Sequence, residues 1–187
     1  MRNLIVAGVS RSGKSILSRR LSVELRLSHI PVDAFVSTLA RVFPQCGITH
    51  FGPSFKGMCE DQEPFLLELT RQLNFEDISY ILDCYHILPA FLAGKLNWNS
   101  GDVVFLGYPN ADPEQKLFDI RKYAHAPDWT IEIPDDEMLE NIVKFIEHSR
   151  FLKLECDRLG LRFVDTSRNF EDALDIAFQE LAVFAER

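Results

Sequence analysis

The four cysteines, Cys46, Cys59, Cys84 and Cys156, form no CxxC pair, and the five histidines form no HxxxH. The spacings from which a zinc site is read are therefore missing, and reduced, mostly buried thiols are expected. An excess of positive charge is missing too: 20 Lys and Arg stand against 28 Asp and Glu, a net charge of -8. Nonspecific affinity for a phosphate polymer comes from a basic face, so no nucleic acid polymer is expected as a partner; a small phosphorylated ligand needs only a local positive pocket. Long hydrophobic runs are also absent. The apolar run near the start extends only from Leu4 to Ala7, too short for a signal-peptide core or a membrane span, so a cytoplasmic protein with no membrane partner is expected. No Ser/Gly/Pro-rich tract, acidic tail or repeat is found, which argues against extended disorder.

What is present is apolar material: 47% of 187 residues are hydrophobic, enough for one continuous core, and residues 1–187 are read as a single domain. Short aliphatic runs without polar alternation alternate with stretches of helical period. That pattern predicts a parallel sheet covered on both faces, an α/β protein of three layers (α/β/α) with five strands. The strands are expected at Leu4–Val9, His29–Phe35, Ser79–Cys84, Asp102–Leu106 and Leu161–Val164. Leu17, Leu21 and Leu25 mark the buried stripe of a first helix, with Arg19, Arg20 and Arg26 on its solvated surface. Phe170, Ala173, Leu174, Ala177, Leu181 and Phe184 mark a closing helix over about 170–185. Between Gly47 and Glu63 a long loop is predicted, because the segment His50–Pro64 has two glycines, two prolines and little periodicity. Trp98, Trp129 and most of the 15 phenylalanines are expected in the core.

The strongest chemical signal is Gly8-Val9-Ser10-Arg11-Ser12-Gly13-Lys14-Ser15, which satisfies GxxxxGK[ST] where an apolar strand gives way to an amphipathic helix. Gly8 and Gly13 permit backbone conformations that aim several N–H groups at one point, and the helix dipole adds positive potential there. Lys14 would reach the β and γ phosphates of ATP, the Ser15 hydroxyl would join the shell of Mg2+, and Ile16 continues the cradle into the helix. Tyr80-Ile81-Leu82-Asp83 is a buried run ending in a carboxylate. At the carboxyl edge of a parallel sheet Asp83 would hold the metal through water, or else cap the turn before Pro89. Asp33, at the end of the second strand, would orient or deprotonate an acceptor hydroxyl, or cap a helix starting near Val36.

These motifs resemble the small P-loop kinases related to shikimate kinase, adenylate kinase and the zeta-toxin-like phosphotransferases. Asp33 sits where shikimate-kinase-like enzymes keep an acceptor-binding carboxylate, and Ile81-Leu82-Asp83-Cys84-Tyr85 is similar to the LLDGF segment of adenylate kinases. That segment's glycine and following Pro-Arg are replaced here by Cys84, His86 and Ile87. The resemblance implies ATP and Mg2+ as cofactors, a small-molecule phosphoryl acceptor and a lid of cations closing over the phosphates.

The lid is expected within 110–130, with Lys116, Arg121 and Lys122 on a helix whose alternative is a solvated face balanced by Glu114 and Asp119. On the long helix from Asp136 to Leu159 the stripe Leu139, Ile142, Val143, Ile146 continues into Arg150 and Lys153. That would bring Arg150 to phosphate, unless His148-Ser149 hands the buried face to Phe151, Leu152 and Cys156. Arg168, in Asp165-Thr166-Ser167-Arg168-Asn169, could stack on a base, although capping by its neighbours explains much of that segment. His50, Phe51, Phe55 and Lys56 are candidates for an acceptor pocket.

A GTPase switch would show NKxD and a DxxG segment after the third strand, and a transporter-type ATPase LSGGQ; NKxD and LSGGQ do not occur, and Asp83-Cys84-Tyr85-His86 lacks the glycine. The expected function is ATP-dependent transfer of the γ-phosphoryl group to a hydroxyl by a monomer or homodimer. The alternatives are a nucleoside or nucleoside monophosphate kinase and a nucleotide-binding module without turnover.

Overall fold

The computed structural model describes residues 3–96, 100–126 and 128–183. Trp98, Phe184 and Pro127 lie outside them. The chain alternates strand and helix: β1 (Asn3–Gly8), α1 (Lys14–Leu25), β2 (Ser28–Pro31), α2 (Val32–Val42), α3 (Phe55–Phe75), β3 (Tyr80–Cys84), a single turn α4 (Pro89–Phe91), β4 (Val103–Gly107), α5 (Pro113–Tyr123), α6 (Asp135–Leu159), β5 (Arg162–Asp165) and α7 (Phe170–Val183). All five strands are parallel, in the order β2-β3-β1-β4-β5.

Side chains of successive strand residues point to opposite faces, and the core divides accordingly. Leu4 and Val6 of β1 meet Leu17 and Leu21 of α1 and Leu174, Ala177 and Leu181 of α7 on one face. Ile5 and Ala7 join the other cluster with Val32 and Val36 of α2, Met58, Cys59 and Leu66 of α3, and Ile142, Ile146 and Leu152 of α6. The result is the expected three-layer α/β/α arrangement. Because β1 lies between β3 and β4, the chain leaves it at the point where strand order reverses, and a crevice opens there beyond the carboxyl ends of the strands.

The structure corrects several sequence expectations. The second strand ends at Pro31, and residues 32–35 begin a helix, which puts Asp33 in the first turn of α2. Val32 and Val36, one helical turn apart, are both fully buried, and this apolar pair outweighs the β propensity of the segment. The long loop is shorter than expected, because α3 starts at Phe55 with the Ser54 hydroxyl accepting a bond from the Gly57 amide at 3.0 Å. On α6 the buried stripe runs through Met138, Ile142, Ile146, Ser149, Leu152 and Cys156, so Ser149 rather than Arg150 continues it. Trp129 is 50% exposed, and Phe35, Phe43, Phe51, Phe75 and Phe118 are exposed as well. Cys59, Cys84 and Cys156 are buried free thiols, and Cys46 is exposed. Among the described residues no helix is long and apolar enough to cross a membrane.

Candidate functional site

The turn from β1 to α1 has the backbone its sequence calls for. Gly8 has φ +129 and lies against β4, where a Cβ would come 1.9 Å from the Leu106 carbonyl oxygen. Gly13 has φ +99, and a Cβ there would come 2.9 Å from the Phe170 ring. Arg11 also adopts a positive φ, 62. The loop is cross-braced: Val9 N donates to Leu106 O at 3.1 Å, the Ser12 hydroxyl to Val9 O at 2.8 Å, and the Tyr108 hydroxyl to Ser10 O at 2.9 Å. Lys14, only 6% exposed, folds back so that its Nζ also donates to Val9 O at 2.8 Å. This sets a buried ammonium beside the N-terminus of α1, where the helix dipole adds positive potential.

Asp83, the penultimate residue of β3, lies beside this loop and is 5% exposed. Burial opposes its ionisation. Bonds from His29 Nε2, 3.1 Å from Oδ2, and from the Ser15 hydroxyl, together with the charge of Lys14, hold its carboxyl below the ordinary range all the same. An ionised carboxylate touching the Ser15 hydroxyl at a phosphate cradle is a donor pair that fits Mg2+, a hard cation that takes oxygen ligands. His29 escaped the sequence reading, because its link to Asp83 follows from the pairing of β2 with β3 and not from any local spacing.

Asp33 lines the same cleft as Lys14 and Ser15, a cavity of about 730 Å³. Its side chain stays 54% exposed. Partial removal from water raises its pKa above the ordinary value and Lys14 opposes this, while the charge of Asp83 pushes the same way as desolvation. The cleft is closed on its far side by α5 and the segment after it. Lys116 Nζ donates to Arg11 O at 3.0 Å and lies 4.2 Å from the Tyr108 ring centroid. Arg11 reaches Asp128 Oδ2 at 2.8 Å and the Thr130 hydroxyl at 3.3 Å. The α5 segment is thus tied to the β1–α1 loop by one cation from each side. Ser10, Gly13 and Ile16 line the cleft, as does Arg168 on the loop before α7.

The other two expected cations are engaged elsewhere. Arg121 is fixed on Thr130 O, on Ile133 O at 2.6 Å and on Asp135 Oδ1 at 2.8 Å, which fastens α5 to the start of α6. Arg150 is exposed and donates to Pro109 O at 3.0 Å. Neither lines the cleft, and Lys116 is the lid cation that does. Of the acceptor candidates, Phe51 and Lys56 are exposed. Phe55 stacks on His148, and His50 turns inward to His86.

Burial pushes the Lys116 ammonium down to about 8, with Arg11 adding to the shift and Asp119 opposing it. In the unfolded chain the group stays near 10.5. Between these values the unfolded state binds the extra proton, so stability rises with pH across that window. The unfolding midpoint of the wild type should accordingly gain on that of Lys116→Met as the buffer moves from pH 8 towards 10.5. A flat difference would contradict the buried setting of this amine.

Neither a family model nor a curated protein sequence matches the chain. Solved structures do match. A gluconokinase from Sinorhizobium meliloti 1021 superposes with TM-score 0.60 at 16% identity, over 99% of this chain and 94% of that one. A shikimate kinase from Bacteroides thetaiotaomicron gives 0.59 at 15% identity, over 97% and 98%. An unliganded sugar kinase from Janibacter sp. HTCC2649 gives 0.58 at 19% identity, over 100% and 97%. At such identities the similarity establishes the fold alone, a three-layer α/β/α arrangement shared with these structures.

Proposed function

We propose that the protein is a phosphotransferase that moves the γ-phosphoryl group of ATP to a hydroxyl of a small molecule. The observation that carries this reading is the convergence of Lys14, Ser15, Asp83 and Asp33, from three separate strand ends, on the crevice beside β1. The kinase fold of the matched structures adds general support.

In this reading the amides of residues 8–15 and the Lys14 ammonium bind the phosphates, so charge that develops on the transferred group meets donors already in place. Ser15 and Asp83 would hold Mg2+, which when bound would neutralise phosphate charge. Asp33 accepts a hydrogen bond from the acceptor hydroxyl and takes its proton as the new O–P bond forms. Lys116 and Arg11 keep the lid against the loop and limit the entry of water, whose attack would waste ATP by hydrolysis. Arg168, which lines the cleft, would flank the base. Arg121 and Arg150 act at a distance, by fixing the segments that border the lid.

The test is ADP release with ATP and Mg2+ against a panel of sugars, sugar acids, hydroxy acids, nucleosides and nucleotides. At least one acceptor class should stimulate turnover, and Asp33→Asn should lower that turnover by about 10² to 10⁴-fold while leaving nucleotide affinity nearly unchanged. Tight nucleotide binding with no acceptor response anywhere, and no effect of Asp33→Asn, would point instead to a nucleotide-binding module.

A further inference from the structure

We propose that Asp33, His50 and His86 form a binding site for a divalent transition-metal ion of the Zn2+ class, distinct from the Ser15 and Asp83 edge. The three residues come from α2, from the loop before α3 and from the turn after β3. One ligand atom from each lies within 4.8 Å of the others. Two imidazoles and one carboxylate make a mixed nitrogen and oxygen set that suits Zn2+ and disfavours Mg2+, which prefers oxygen alone.

His86 is the second observation. Its ring is completely buried, yet Nδ1 has no hydrogen-bond partner and faces Asp33 Oδ1 at 3.5 Å. A buried imidazole nitrogen left open towards a carboxylate calls for a ligand, because an unsatisfied buried polar atom is destabilising. His50 is already oriented. Its Nε2 pairs with the Ser37 hydroxyl at 2.8 Å, which fixes the ring as an outer-sphere partner does, and the ion would replace the bond that its Nδ1 makes with His86 Nε2. That Nδ1 lies 3.2 Å from His86 Nε2. Ligands of one tetrahedral zinc stand about 3.3 Å apart when the bonds are about 2.0–2.1 Å, so the widest separation must close by about 1.5 Å. Asp33, half exposed on the first turn of α2, has the freedom to supply that movement. On the phosphotransfer reading, the ion would engage the carboxylate that serves the acceptor, and Zn2+ would compete with the acceptor rather than with ATP.

The experiment titrates metal-free full-length protein with Zn2+ against a chromophoric chelator and repeats the titration with Co2+, whose absorption bands report coordination geometry. It needs no turnover, so its failure is separable from that of the phosphotransfer reading. One equivalent should bind to the wild type, to Cys46→Ser, which removes the exposed thiol, and to Ser15→Ala, which alters the phosphate-side metal edge. Affinity should fall by about 100-fold or more in His50→Gln and in Asp33→Asn, beyond the loss typical of outer-sphere changes. His86→Gln should do the same; because that side chain is buried, His50→Gln is the deciding variant if His86→Gln fails to fold. The proposal is overturned if the wild type binds no Zn2+ at micromolar concentration, if His50→Gln and Asp33→Asn bind as the wild type does, or if affinity is lost in Cys46→Ser or Ser15→Ala instead.

Discussion

Lys14→Ala is expected to lower acceptor-dependent ADP release by about 10³-fold, equivalent to about 4 kcal/mol of transition-state stabilisation, and to weaken nucleotide binding measurably. The ammonium is the one cation that the loop wraps around, and with 6% exposure it has little water to compete with a phosphate oxygen. Its loss should leave the fold intact, because the carbonyl it holds, Val9 O, keeps the Ser12 hydroxyl at 2.8 Å. The loop is fixed independently by the Val9 amide on Leu106 O and by the Tyr108 hydroxyl on Ser10 O. A melting temperature close to that of the wild type, together with lost turnover in the ADP assay, is the expected pair of results. Unchanged turnover would remove Lys14 from the chemistry. A collapse in melting temperature would show that the bond to Val9 O is chiefly structural.

The tight turn from β1 to α1 was legible in the sequence because its signal is local: eight consecutive residues carry the glycines, the lysine and the hydroxyl, and a strand and a helix flank them. The parallel sheet was legible for a related reason, since strands buried on both faces show as unbroken apolar runs such as Tyr80–Cys84 and Val103–Gly107. The start of α3 was hidden. Its cap, Ser54, is followed by Gly57 and Pro64 inside the helix, and its buried face includes Gln62 and Thr70, so neither composition nor periodicity announced it. Arg121 and Arg150 show a different limit. A cation's position along a helix can be read from sequence, but the backbone carbonyls at Thr130, Ile133 and Pro109 that occupy these two guanidinium groups belong to tertiary structure. The His29–Asp83 and His50–His86 contacts have the same origin, each joining segments that only the sheet order brings together.

Gly8→Ala is expected to cost more than about 4 kcal/mol, a fall in melting temperature of about 10 °C or more for a chain of this length, or loss of soluble protein. Two separate terms contribute. The backbone at φ +129 lies where an alanine is strained, and the added methyl would stand 1.9 Å from Leu106 O and 2.7 Å from Leu106 N. Relief by movement is blocked, because Gly8 and Leu106 are register partners in the parallel β1–β4 pair and Val9 N bonds the same carbonyl. Separating the strands would break that ladder and open the crevice that holds Lys14. Gly160→Ala separates the two terms: Gly160 has φ +66, but a Cβ there meets nothing within 4 Å. That variant should therefore lose only the conformational part, about 1–2 kcal/mol. A Gly8→Ala protein as stable as Gly160→Ala would mean that β4 does not press on the phosphate loop as closely as described, and that the loop's shape is set by the glycine's own freedom and not by the strand beneath it.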